Sequence, residues 1–287
     1  MGSDRRSLVV LASRVRYEEK RIMAALERRG AGYEYVDPRT LFTRAGVTRP
    51  GPELVLNREV GHFRALYAAD ALEAAGATVV NSAAATRVSG DKWHTSTALL
   101  ERGIPTPTTA LAMTSEAALD ALEEIGYPAV IKPLVGSWGR LVTRVTGREM
   151  AVAVLEHIEA LPSPQSHVIY VQELVRKADR DLRVLVVGGK ALGATYRHGN
   201  EWRTNVARGA VSKPCPLHPR HTRLAVAAAA AVGADIAGVD LIEDRDGRLT
   251  VLEVNDRVEF RGLQEAHGAA IDVADAVAAH LIAVTAA

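Results

Sequence analysis

The sequence has a single cysteine, Cys215, which excludes an internal disulfide and a cysteine-built zinc cluster and fits a reducing compartment. No apolar run approaches the roughly 20 residues needed to cross a bilayer. Met1-Gly-Ser-Asp-Arg-Arg leads directly into a short apolar strand, without a signal-peptide core. Net charge is only +1, which gives no support for a nucleic-acid surface. Four motifs are also missing: HExxH, G-x-S-x-G, a GxGxxG after the first strand, and the Walker pattern GxxxxGK[ST]. The expectation is a soluble cytoplasmic protein with neither a nucleic-acid nor a membrane partner. Lysine is scarce as well. Only six of the 35 basic residues are lysines, so a lysine inside a motif stands out, and Lys92 and Lys132 are such lysines.

At 287 residues the chain is long enough for two or three packed units. Residues 1–88 alternate apolar runs of four to six residues with helical patterns stopped by Gly30 and Gly76, which predicts a small α/β unit with a parallel sheet. A second unit, 89–167, begins with a helix capped by Asp91 and contains the turn Gly136-Ser-Trp-Gly-Arg140 between two strands. A third unit, 168–287, is mostly strand, with an alanine-rich helix over 220–232 and a final helix from about Asp272. The fold class is therefore α/β at the start and α+β later.

Residues with chemical potential recur along this frame. Asp240 lies on one apolar strand, and Glu253 and Asn255 lie on the next, across the turn Asp244–Arg248. Side chains at i and i+2 of a strand share a face. Two carboxylates and an amide oxygen suit Mg2+ held jointly with phosphates, although the same residues would also serve as the wet face of a hairpin. Lys132, buried in Ala129-Val-Ile-Lys, is costly there unless it meets an anion. The glycines of the loop that follows let backbone N–H groups approach a phosphate. Gln172, Glu173, Leu174 and Val175 end a strand that could frame a purine, with Asp181 and Arg183 on the next for ribose and phosphate; an edge strand with solvated charges reads equally well. Arg203, Asn205 and Arg208, with Arg197 just before them, suit a carboxylate and a γ-phosphate through the arginine fork.

In this order the parts resemble the ATP-grasp ligases, and within them the RimK/LysX branch. The likeness rests on Gly90-Asp-Lys-Trp-His-Thr-Ser96, Ile131–Arg140, Asp181–Val187, Thr204–Gly209 and Glu253-Val-Asn255, and covers nearly the whole chain. It implies an ATP-grasp fold behind a small N-terminal α/β domain, and a carboxylate–amine ligase using ATP and Mg2+, or Mn2+ in its place. Lys92, Lys132 and the loop Gly136, Ser137, Trp138, Gly139, Arg140, Leu141 and Val142 would hold the phosphates, and 170–181 the adenine and ribose. Asn205, Arg208 and Lys132 would be catalytic, Asn205 also touching the nucleotide. Asp240, Glu253 and Asn255 would hold the metal. Arg197, Val206, Ala207, Arg208, Glu259, Phe260, Arg261 and Gly262 would face the substrate. The resemblance also implies a small acidic carrier protein whose C-terminal glutamate is activated, an acidic amino acid (α-aminoadipate or glutamate) as the amine, and a homodimer or homotetramer. Gly262 after the basic residue resembles the glutamate-type enzymes, whereas Asp256 and Arg257 match neither type.

Overall fold

The computed structural model describes residues 8–46, 51–136, 139–199, 202 and 211–286. Within them the chain builds three sheets in succession. The first contains β1 (Leu8–Leu11), β2 (Tyr33–Val36), β3 (Leu54–Asn57) and β4 (Thr78–Val80) in the order β2-β1-β3-β4, all parallel. β1 and β3 are buried along their whole length, which is why they read as unbroken apolar runs rather than alternating ones. Helix α1 (Tyr17–Arg28) buries Ile22, Ala25 and Leu26. Helix α2 (His62–Ala74) buries Ala65, Leu66 and Ala69.

After a short helix α3 (Ala83–Ser89), the Asp91 carboxylate accepts the N–H groups of Trp93 and His94 and starts α4 (Lys92–Glu101). The second sheet contains β5 (Thr109–Ala112), β6 (Ala129–Lys132), β7 (Thr143–Val145) and β8 (Ile169–Glu173), ordered β5-β8-β6-β7. Its helices are α5 (Ser115–Ile125) and α6 (Arg148–Glu159). The sequence pattern assigns 168–173 to the third unit, yet β8 pairs with β5 and β6 in the middle of the second sheet. An apolar run carries no local mark of the strand it will pair with.

The third sheet is antiparallel: β9 (Arg180–Val187), β10 (Lys190–His198), β11 (Val211–Cys215), β12 (Ile236–Glu243) and β13 (Leu249–Asn255), ordered β11-β10-β9-β12-β13. The alanines of α7 (Pro219–Ala231) pack closely on one face, with Ala225, Ala228 and Ala229 buried. A different core joins the first sheet to the third. It gathers Leu8, Ile22 and Leu56 with Leu185 and Val258, and is completed by Val277 and Leu281 of α9 (Val273–Thr285). The N-terminal unit is thereby fixed against the sheet that carries the acidic residues. A last short helix, α8 (Arg261–His267), lies directly beyond β13. Elements α3, β11 and α8 have no counterpart in the sequence reading: two are helices of only seven residues, about two turns each, and β11 is an edge strand interrupted by Pro214.

Candidate active site

The second and third sheets, together with residues that follow strands of the first, line one cleft of about 560 Å³. Its floor is a line of charges set by strand register. Arg197 lies opposite Asp181, Arg183 opposite Asp240, Asp240 opposite Glu253, and Gly238 opposite Asn255. Directly opposed residues in antiparallel pairs share a face, so this register brings Asp240, Glu253 and Asn255 together.

Asp240 is almost wholly buried and fully engaged on one side. Arg183 donates Nε to Oδ1 at 2.6 Å and Nη2 to Oδ2 at 2.7 Å, and Arg197 Nη2 reaches Oδ2 at 3.0 Å. Arg197 is itself only 3% exposed, and its Nε also donates to Asp181 Oδ1 at 2.6 Å. Burial pushes the Asp240 carboxyl up, but the charges of Arg183 and Arg197 outweigh it and hold the group below the ordinary carboxylate range. Burial likewise opposes the charge on Arg197, and Asp240 and Asp181 more than restore it. Arg197 is thus a buried tie between two carboxylates, although it lines the cleft.

The oxygen donors fit a hard cation. A carboxylate has about four lone-pair sites; guanidinium hydrogens occupy three on Asp240, leaving one at Oδ1. Glu253 is 29% exposed, its nearest cation being Lys92 Nζ at 3.9 Å. Asn255, which lines the cleft, donates its amide N–H to Gly238 O at 3.3 Å, which leaves its amide oxygen as an acceptor. One monodentate carboxylate, one more available carboxylate and an amide oxygen are a partial shell for Mg2+, which characteristically completes its octahedron with phosphate and water.

Two lysines flank these oxygens. Lys92 Nζ donates to Gly136 O at 3.0 Å, tying α4 to the glycine loop. Lys132 Nζ donates to Gln172 Oε1 at 2.6 Å. The Gln172 amide is oriented for this by donating to Tyr170 Oη (2.8 Å) and Thr109 Oγ1 (3.1 Å), while Tyr170 Oη also meets Ser96 Oγ at 2.9 Å. Gln172, expected beside a purine, lines the cleft, and its side chain holds Lys132. Burial lowers the Lys132 ammonium to about 8, with Glu253 opposing and Lys92 assisting the shift.

Among the expected nucleotide residues, Gly136, Gly139, Arg140, Val142, Glu173, Leu174, Val175, Asp181 and Arg183 also line the cleft. Leu141 does not, and is 72% exposed. Ser137, Trp138, Asn205, Val206, Ala207 and Arg208 lie outside the described residues. The structure does not bring the residues expected to face the substrate to one wall. Glu259 lines the cleft, but Phe260 is buried against Tyr17, and Arg261 points outward onto Glu265 at 2.7 Å. Gly262 abuts β11, where an added Cβ would come within 2.6 Å of Ser212 Oγ.

Sequence reasoning missed Arg16, His62 and Arg257, all in the wall of the cleft. The first two follow β1 and β3. Polar residues just beyond the carboxyl ends of parallel strands are where open α/β sheets bind ligands, and that signal could have found them. Around the cleft, lysines and arginines outnumber aspartates and glutamates, which favours a polyanionic ligand.

The sequence matches the RimK-like ATP-grasp domain over residues 89–281 and the LysX preATP-grasp domain over residues 8–88. The chain belongs to the RimK-like ATP-grasp family. It is 32% identical to the glutamate–LysW ligase ArgX of Sulfolobus acidocaldarius, over 93% of this chain and 95% of that one. It is equally identical to the α-aminoadipate–LysW ligase LysX of Saccharolobus solfataricus, over 86% and 90%. Among solved structures, an ATP-grasp RimK domain protein from Sphaerobacter thermophilus superposes with a TM-score of 0.80 at 27% identity, covering 96% of this chain and 98% of that one. As an ATP-grasp enzyme, the protein is an ATP-dependent ligase forming amide bonds, and Mg2+ accompanies the nucleotide.

Proposed function

We propose that this ligase activates the C-terminal glutamate of a small acidic carrier protein as an acyl phosphate and joins it to the α-amino group of an acidic amino acid, glutamate or α-aminoadipate. The observation that carries the reading is the register-set line Asp240–Glu253–Asn255 beside Lys92 and Lys132. The carrier and the amino acid are brought in from the relatives, which pair LysW with either substrate at the same identity.

In this reading a carboxylate oxygen of the carrier attacks the γ-phosphorus and ADP leaves. The amine then attacks the acyl carbon, inorganic phosphate leaves with the C–O electron pair, and the amine loses a proton. Asp240, Glu253 and Asn255 would hold Mg2+, which would supply neutralisation of the phosphate charge. Lys132, aimed by Gln172, and Lys92, aimed by Gly136 O, bind phosphate oxygens whose charge grows as ADP departs. Arg183 and Arg197 fix the Asp240 carboxylate so that a single lone pair faces the cleft. Glu173, Leu174 and Val175, which line the cleft, frame the adenine, and closing the second unit over the nucleotide keeps water from the acyl phosphate. The proposed units are 8–88, then 89 to the end of β8, then the third sheet with its helices. A homodimer or homotetramer, and Mn2+ in place of Mg2+, belong to the same reading; light scattering and metal-dependent ADP release check them.

The test is ADP release with Mg-ATP, an acidic amino acid and an acidic glutamate-terminated carrier, using wild type, Lys132→Ala and Asp240→Ala. Carrier-dependent turnover in the wild type and its loss in both variants is expected. Full activity in either variant overturns the site assignment. Turnover without carrier moves the enzyme to ligases of free small molecules.

A further inference from the structure

The segment directly after the metal-site strand, 256–261, is held by the N-terminal unit at five points. Asn81 Nδ2 donates to Asp256 O (2.6 Å), Arg58 Nη2 to Val258 O (3.0 Å) and Arg16 Nη1 to Glu259 Oε1 (2.9 Å). The buried Glu18 carboxylate accepts the backbone N–H groups of Phe260 and Arg261, both at 3.1 Å. Arg58 is buried with its Nε on Glu19 at 2.9 Å, and Glu19 also binds Arg16. The residues between these ties therefore sit on a preorganised backbone, as a recognition element requires.

Arg257 is the second residue of that segment, between the ties at Asp256 and Val258. Its side chain is 15% exposed and lines the cleft. Nη1 donates to Asp256 Oδ2 at 2.8 Å, the one hydrogen bond its guanidinium makes among the described residues. Four of its five N–H donors thus have no hydrogen-bond partner among the described residues, on a side chain that lines the cleft. Neighbouring His62 adds no competing charge: burial and the charge of Arg257 both lower its pKa, keeping the ring neutral near pH 7. A rigid, largely buried guanidinium with most of its fork open is a receptor for a planar anion, and carboxylates take it bidentately. The phosphate side of the cleft already has Lys92 and Lys132.

Resting on the ligase reading above, we infer that Arg257 is the specificity-determining cation for a carboxylate of the amine substrate, with Arg16 beside it and Glu259 placed to accept the substrate's ammonium hydrogens. The N-terminal unit then acts by holding this corner in place, which the exposed Arg261 is not positioned to form.

Arg257→Gln and Arg257→Lys are compared with wild type using a glutamate-terminated acidic carrier, with L-glutamate and L-α-aminoadipate as amines. Arg257→Gln is expected to raise KM for the preferred amino acid roughly 10- to 100-fold, the loss of a charge-assisted pair, while KM for ATP moves less than about twofold. Arg257→Lys falls between. With the α-amide and the side-chain amide of glutamate, the penalty that wild type imposes on one amide disappears in Arg257→Gln. A rise in KM for ATP instead assigns Arg257 to phosphate and overturns the inference, as does an unchanged KM for the amino acid. Wild type turning over neither amino acid overturns the ligase reading itself, and this subsite with it.

Discussion

Lys132 gives the sharpest quantitative expectation. Burial brings its ammonium down to about 8 in the free protein, and only the charged form attracts phosphate. One unit above that value, at pH 9, roughly a tenth of the protein remains competent; at pH 7 roughly nine-tenths does. Apparent affinity scales with the competent fraction, so binding of a non-hydrolysable ATP analogue should weaken about tenfold, about 1.4 kcal/mol, between pH 7 and pH 9. The terminal phosphate is largely ionised across this range and contributes little. Lys132→Met should bind roughly 10- to 100-fold more weakly at pH 7 and lose the dependence. Calorimetry at pH 7, 8 and 9, corrected for buffer ionisation, measures both. The same displacement acts on folding. Between about pH 8 and the ordinary lysine value of 10.5 the unfolded chain binds the proton that the folded one has released, so this group's contribution to stability rises with pH there, and at pH 7 the charged Lys132 disfavours the fold. Lys132→Met should therefore melt above wild type at pH 7, by roughly 1–3 kcal/mol, despite being inactive. Flat wild-type binding from pH 7 to 9, or an equal slope in Lys132→Met, would refute the reasoning.

Other expectations concern the surrounding scaffold. Arg197→Met leaves the buried Asp181 and Asp240 short of a cation, and should cost about 3–5 kcal/mol, read as a thermal midpoint lower by several degrees. Gly90→Ala places a Cβ about 2.1 Å from the His62 ring; displacing the start of α4, it should weaken nucleotide binding through Lys92 in calorimetry. Arg261→Ala removes an exposed pair with Glu265 and a guanidinium stacked 5.6 Å from the Tyr17 ring centre, so KM for both substrates should stay within about twofold and stability within about 1 kcal/mol.

Much of the fold was legible because local rules agree with it. Parallel strands buried on both sides, such as Leu54–Asn57, read as solid apolar runs, and Asp91, Thr114 and Asp272 each mark a helix start by accepting backbone N–H groups. The hairpin carrying Asp240, Glu253 and Asn255 was legible for the same reason, since strand alternation fixes which side chains share a face. Non-local facts were not. Nothing in Ile169–Glu173 says that it pairs between β5 and β6, and nothing near Arg197 says that two carboxylates wait for it across the ladder. Arg261 and Arg257 look alike in sequence; one points to solvent and the other into the cleft because Glu18, Asn81 and Arg58, distant in the chain, set the path of the backbone between them.

The central claim is that the chain joins an acidic amino acid to a carrier's terminal carboxylate. Intact-mass spectrometry of a glutamate-terminated acidic carrier, incubated with enzyme, Mg-ATP and glutamate or α-aminoadipate, tests it most directly. The account predicts a gain of one amino-acid residue, with one ADP released per carrier modified and no gain when ATP is omitted. An unchanged carrier mass while ATP is consumed against free small molecules would contradict it.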